Sequence, residues 1–242
     1  MDPRLSVITS RLSNINKIIS VVSGKGGVGK TVISSLMAYS LARKGKRVGL
    51  LDLDFHGPSC HVVLGIRDVF PEEEKGLIPP VVHDISFMSI YFFVGAEPAP
   101  LRGNEITNSI IELLAITRWP KLDYLIIDLP PGMGDEALDT IRLIKRGSFL
   151  VVTTPSKLSL SVVSRLIKFL KNQNLDILGL LENMRISDDT LIQTYAKENV
   201  VKYLGSIPFD KEFELALGDI NKIVRTDVYK SIDAIVSEYI FS

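Results

Sequence analysis

Apolar residues along this chain collect in short unbroken runs, not in an alternating pattern. IISVVS (18–23), RVGLLDLD (47–54), ISFMSIYFF (85–93), YLIID (124–128), SFLVVTT (148–154), ILGLLEN (177–183) and VKYLGSI (201–207) each read as a strand. Between them lie segments that read as helices: 30–44, closed by Gly45, then 104–117, 136–145, 158–172, 188–199 and 228–239. Unbroken apolar strands are covered on both faces, and strands that alternate with helices join by crossovers. The expected fold is α/β: a single domain with a mainly parallel sheet and helices on both faces. Residues 1–16 are expected to be a helical extension and 17–242 the domain proper, because no Pro/Gly/Ser-rich linker breaks the alternation. The stretch 68–82, with PEEEKG and IPP, is expected to be an exposed loop.

Composition narrows the classes. With 46% hydrophobic and 23% charged residues, 242 residues can build a sizeable core. Lys plus Arg equals Asp plus Glu at 28 each, so there is no strong nucleic-acid or membrane signal. The one cysteine, Cys60, cannot form an internal disulfide or a multi-cysteine metal site. The start, MDPRLSVITSRLSNINK, has no apolar core of signal-peptide length, and no run nears the about 20 residues that span a bilayer. A cytoplasmic protein is expected.

The chemistry begins at Gly24-Lys25-Gly26-Gly27-Val28-Gly29-Lys30-Thr31, which fits G-x-x-x-x-G-K-[ST] between a strand and a helix. Backbone N–H groups of this loop, running on to Val32, would converge on phosphate oxygens at a helix N-terminus. Lys30 is expected to bridge the β- and γ-phosphates and Thr31 to ligate Mg²⁺. Residues 17–242 therefore read as a P-loop ATPase domain. Lys25 is surplus to that logic. The string KGGVGKT resembles the deviant Walker A loop of the ParA/MinD class of dimerising ATPases. That resemblance implies that Lys25 reaches across a dimer to the partner's nucleotide, stabilising phosphoryl charge as an arginine finger does.

Asp52 and Asp54 fall at the carboxyl end of the second strand, the edge where parallel α/β sheets bind ligands. Strand alternation gives them the same facing. By the same resemblance Asp54 positions the attacking water, while Asp52 supports the Mg²⁺ shell or the loop. Asp128 ends a Walker-B-like strand and is expected to hold a Mg²⁺-bound water. The Pro130-Pro131-Gly132 turn would swing near the γ-phosphate, and Asp135 and Glu136 would open the next helix. Asn183 and the segment 205–210, with Pro208, are placed around the base. No N-K-x-D motif is visible, so ATP is favoured over GTP.

Further strings narrow the resemblance. DLDFHGPSCHVVLG (52–65), LRGNEITNSIIELL (101–114), IIDLPPGMGDE, LLENM and GSIPFD follow, in order, motifs of the Mrp/ApbC family of iron–sulfur cluster carrier ATPases. The resemblance covers nearly the whole chain. It implies a slowly hydrolysing ATP switch, working as a homodimer or a heterodimer with a paralogue, with an iron–sulfur client or scaffold protein as partner. The chain departs from that family at one point. Members carry C-P-x-C shortly after E-N-M, and two subunits pool four thiolates for a [4Fe–4S] cluster. Here RISDDTLIQTYAKENVVKYLG follows instead, without cysteine. No cluster is expected by that route. Cys60 is expected to be a small packing residue, and His56, His61 and His83 lack zinc-site spacing. The alternative reading is a ParA/MinD-type positioning ATPase acting on DNA, membrane or a protein. Against it stand the neutral total charge and the tail TDVYKSIDAIVSEYIFS, whose polar face is mixed rather than basic.

Overall fold

A computed structural model describes residues 2–55, 57–94, 104–144 and 146–241. The chain starts with α1 (Arg4–Leu12), β1 (Ile15–Ser23), α2 (Lys30–Arg43), β2 (Val48–Asp52) and α3 (Cys60–Leu64). Three strand fragments follow, β3 (Glu72–Glu73), β4 (Leu77–Ile78) and β5 (Val81–Val82), then β6 (Ile85–Ser89), α4 (Tyr91–Val94) and α5 (Asn104–Ile116). The second half runs β7 (Leu122–Asp128), α6 (Asp135–Leu143), β8 (Ser148–Thr153), α7 (Lys157–Asn172), β9 (Asp176–Arg185), α8 (Leu191–Glu198) and β10 (Tyr203–Pro208). It closes with α9 (Lys211–Ala216), α10 (Ile220–Ile223) and α11 (Asp227–Tyr239).

Eight strands form one sheet in the order β10-β9-β8-β1-β7-β2-β6-β5. All neighbours are parallel except β5, which runs antiparallel to β6 at the edge. Side chains alternate between two cores. Leu125 and Ile127 of β7, with Phe149 and Val151 of β8, pack under α1, α5, α6, α7 and α8. Tyr124 and Ile126, with Leu150 and Val152, pack under α2, α3 and α9 to α11. Both faces being covered is why the strands carry unbroken apolar runs.

Several boundaries differ from the sequence expectation. The run 47–54 stops being strand at Asp52, and 85–93 divides into β6 and α4. The supposed loop 68–82 holds the antiparallel pair β3–β4 as well as β5, and α8 starts at Leu191, not 188. The helix expected within 1–16 is α1, and β1 begins at Ile15, inside that span. Ile8 and Leu12 of α1 are buried in the same core as the sheet. Residues 101–103 of the LRGNEITNSIIELL segment, His56 and Lys145 lie outside the described residues.

This topology positions the site. β1 lies between β7 and β8, so the loop leaving Ser23 is flanked by the carboxyl ends of β7, at Asp128, and of β2, at Asp52. Open α/β sheets bind ligands at that edge.

Candidate functional site

The glycine-rich turn after β1 is shaped by local bonds. Ser23 Oγ donates to the Lys25 carbonyl at 2.9 Å. Gly29 caps α2 with φ +80°, a backbone conformation costly for any residue with a Cβ. A Cβ there would also lie 2.2 Å from Asn183 Nδ2. Asn183 in turn donates to the Val28 carbonyl at 2.8 Å, so its amide braces the loop from β9. The loop encloses a cavity of about 270 Å³, lined by Lys25 through Val32 together with Ser23, Asp54, Gly57, Ser59 and Pro131. A Cβ placed on Gly26 or Gly27 would meet open space. That leaves a cradle of backbone N–H groups at the N-terminus of α2, which fits a polyphosphate.

Behind the cavity Asp128 is a hub. Its Oδ1 accepts from Lys30 Nζ at 2.7 Å and from Ser34 Oγ at 2.8 Å. Its Oδ2 accepts from Thr31 Oγ1 at 2.7 Å. Lys30 is only 5% exposed and Asp128 fully buried. Burial alone would pull the Lys30 ammonium down. The charge of Asp128, with Asp54 and Asp52 behind it, outweighs that and holds it above its ordinary value. Burial and then the charge of Asp128 push the Asp52 carboxyl up to about 7. Burial, Asp52 and Asp128 push the Cys60 thiol well above its ordinary range.

The expected site residues sort as follows. Lys25, Lys30, Thr31 and Asp54 are brought to the cavity together. Asp54 is buried and accepts from the Gly57 N–H at 3.3 Å. The common facing expected for Asp52 and Asp54 fails, because β2 ends at Asp52 and Asp54 already belongs to the following turn. Asp52 points inward, accepting from the Asp54 N–H and the Cys60 N–H, both at 3.1 Å. Gly24 stands behind the loop, where a Cβ would lie 2.9 Å from Val162 of α7. Pro208 ends β10 and is not among the residues lining the cavity.

Cys60 is fully buried, as a packing residue would be. His83 Nε2 bonds the Leu64 carbonyl at 2.9 Å, and His61 stacks on Tyr91 with ring centroids 4.0 Å apart. Sequence reasoning missed Ser34. Its signal was available: it lies one helical turn after Lys30, on the same face of α2.

The donor set fits a nucleoside triphosphate with Mg²⁺: a cradle, a buried cation, a hydroxyl and a carboxylate converge. It does not fit a [4Fe–4S] cargo. Cys60 is the only cysteine, so even two copies of the chain offer two thiols where a cluster takes four. Among the described residues no helix is long and apolar enough to cross a membrane.

Comparison with known proteins places the chain in a family. A ParA-type family model, described as NUBPL iron-transfer P-loop NTPase, matches residues 14–240. An iron–sulfur cluster carrier protein of Rickettsia felis is 44% identical over 174 residues, 72% of this chain and 55% of the relative. The chain thus spans about half the length of the curated relatives it matches first. A solved nucleotide-binding protein from Archaeoglobus fulgidus, in complex with ADP and with cobalt found, is 31% identical with a TM-score of 0.79, covering 93% of this chain and 95% of its own. The septum site-determining protein MinD of Pyrococcus horikoshii, complexed with Mg-ADP, shares the fold at 22% identity and a TM-score of 0.70, covering 93% and 96%.

Proposed function

This chain belongs to the ParA-type family of NUBPL iron-transfer P-loop NTPases, and from that premise we propose that it is an ATP-binding, slowly hydrolysing dimeric switch. Its role in the cytoplasm is to assist iron–sulfur protein assembly without cysteine ligands of its own. One observation carries the reading. Lys30, Thr31 and Asp128 are joined by bonds of 2.7 Å behind a glycine cradle. Asp128 holds both groups that a Mg²⁺-nucleotide needs. With a nucleotide and Mg²⁺ bound, Lys30 would hold the phosphates, Thr31 would serve the metal and Asp128 would orient water beside it. Mg²⁺, when bound, neutralises phosphate charge. Asp54, inside the cavity, orients the attacking water. Lys25 lines the same cavity from its outer part and supplies its charge to the nucleotide of a second copy or a paralogue.

Hydrolysis stays slow until that second lysine or a client completes the charge around the γ-phosphate. The positioning-ATPase alternative has less support, since α11 buries Val228, Tyr229, Ile232 and Val236 against the domain and so keeps its apolar face away from a membrane.

The test is mass and iron content of anaerobically purified protein, with and without ATP–Mg²⁺, beside Lys25→Ala. The reading expects no iron–sulfur cluster and an ATP-dependent dimer that Lys25→Ala abolishes while nucleotide binding persists. A labile cluster at about one per dimer overturns the absence of ligands. A dimer indifferent to both ATP and Lys25 overturns the switch.

A further inference from the structure

The fully buried polar cluster behind the phosphate cavity brings one thiol and two carboxylates together. Cys60 Sγ and one oxygen each of Asp52 and Asp128 lie within 4.8 Å of one another. All three side chains are fully buried. Cys60 Sγ stands 3.8 Å from Asp128 Oδ2. In a tetrahedral site with sulfur and oxygen bonds of about 2.3 and 2.1 Å, the two donors sit about 3.6 Å apart. The thiol–carboxylate edge already has that length. The other edges are no longer than 4.8 Å, so they exceed it by at most about 1 Å, within reach of side-chain rotation.

A second observation points to the same place. Ser35 is fully buried, and its Oγ makes no hydrogen bond of ordinary geometry, although it adjoins the Cys60 thiol. Buried hydroxyls without a partner are rare and call for an explanation. Here the hydroxyl's polar neighbour is the Cys60 thiol, itself one of the three donors.

We propose that Asp52, Cys60 and Asp128 form a site for one thiophilic divalent cation of the Fe²⁺, Co²⁺ or Zn²⁺ kind. A thiolate donor selects such ions over Mg²⁺, which takes oxygen donors and sheds water reluctantly. The thiol proton leaves to solvent as the sulfur–metal bond forms. The product is electrically balanced. Two carboxylates and a thiolate offset the divalent ion plus the Lys30 ammonium, 2.7 Å from Asp128, so the ion and its donors add no uncompensated charge beside Lys30. Ser59, the residue before Cys60, lines the phosphate cavity with Gly57. The site does not depend on the nucleotide-switch reading. It shares Asp128 with the Mg²⁺ set at Thr31, so its occupation and that of the nucleotide site compete.

The test is titration of nucleotide-free, tag-free protein with Co²⁺. Expected is a near-ultraviolet thiolate-to-cobalt band that saturates at one ion per chain and withstands excess Mg²⁺. Cys60→Ala and Cys60→Ser should lose the band. No band in the unmutated protein, or a band that survives Cys60→Ala, overturns the site. Should either variant misfold by circular dichroism, X-ray absorption of the unmutated Zn²⁺ complex decides. One sulfur neighbour at about 2.3 Å upholds the proposal, and a shell of nitrogen and oxygen alone refutes it.

Discussion

Replacing Asp128 by Asn tests the hub directly. The amide is nearly isosteric, so its oxygen can still accept from Lys30 and Ser34, and the Thr31 hydroxyl can turn to accept from the new N–H. Charge is what is lost. Lys30, 5% exposed, keeps its ammonium in a site where the nearest anion, 2.7 Å away, has gone. Removing one partner of a buried pair costs about 3–5 kcal/mol. Two features draw the cost to the low end. Asp54 and Asp52 also act on Lys30. Asp52, freed from the repulsion of Asp128 that helps push it up to about 7, ionises more readily and becomes a substitute counter-ion. The expected loss is about 3 kcal/mol, which for a domain of this size lowers Tm by roughly 6–12 °C.

The assay is urea unfolding at neutral pH without nucleotide, followed by circular dichroism. Lys30→Met and the double variant complete a cycle. The double variant should recover about 2 kcal/mol relative to additivity, because it leaves no isolated charge. A single-variant loss below about 1 kcal/mol, or additivity within about 0.5 kcal/mol, would refute the buried pair in the nucleotide-free protein.

Three further outcomes follow from local geometry. Gly29→Ala forces a Cβ to 2.2 Å from Asn183 Nδ2 at φ +80°. It should break the Asn183–Val28 bond, destabilise by about 2 kcal/mol and weaken ATP binding in calorimetry. Gly65→Ala makes an equally close approach, 2.2 Å from the Gly218 carbonyl at φ +64°, but away from the cradle. Its urea midpoint should fall while the calorimetric ATP affinity of the folded fraction holds, and a comparable loss of both would undo the distinction. Asp123 is held down at about 2 by the side chain of Arg47, then by the Arg47 backbone N–H. Its folded pKa lies below the unfolded one, so its stabilisation is present above about pH 4 and is lost as pH falls toward 2. Asp123→Asn should therefore be less stable than the parent at neutral pH, with the gap closing in acid; a constant gap would show another cause.

The sheet was legible because each strand feeds two cores. Tyr124 and Ile126 enter one and Leu125 and Ile127 the other, so no polar position interrupts the run. The β3–β4 pair was not legible, since two-residue strands leave no periodicity to read. Five-residue α3 was hidden for the same reason, behind the Gly57-Pro58-Ser59 turn.

The phosphate loop could be found from sequence because its geometry is local: eight consecutive residues specify strand end, turn and helix start. Contacts made across the fold could not. Lys30 and Asp128 are 98 positions apart, and Asn183 and Val28 are 155 apart. Each was singled out for a nucleotide, and each makes a contact that braces the loop. Asp52 and Asp54 show the limit most clearly. Counting by two assumes that the strand continues, but β2 stops at Asp52. The two carboxylates then part. Asp54 enters the cavity, and Asp52 turns to the Cys60 N–H and the thiol behind it. A strand one residue pair longer would have given both acids one facing; the early end of β2 is what parts them.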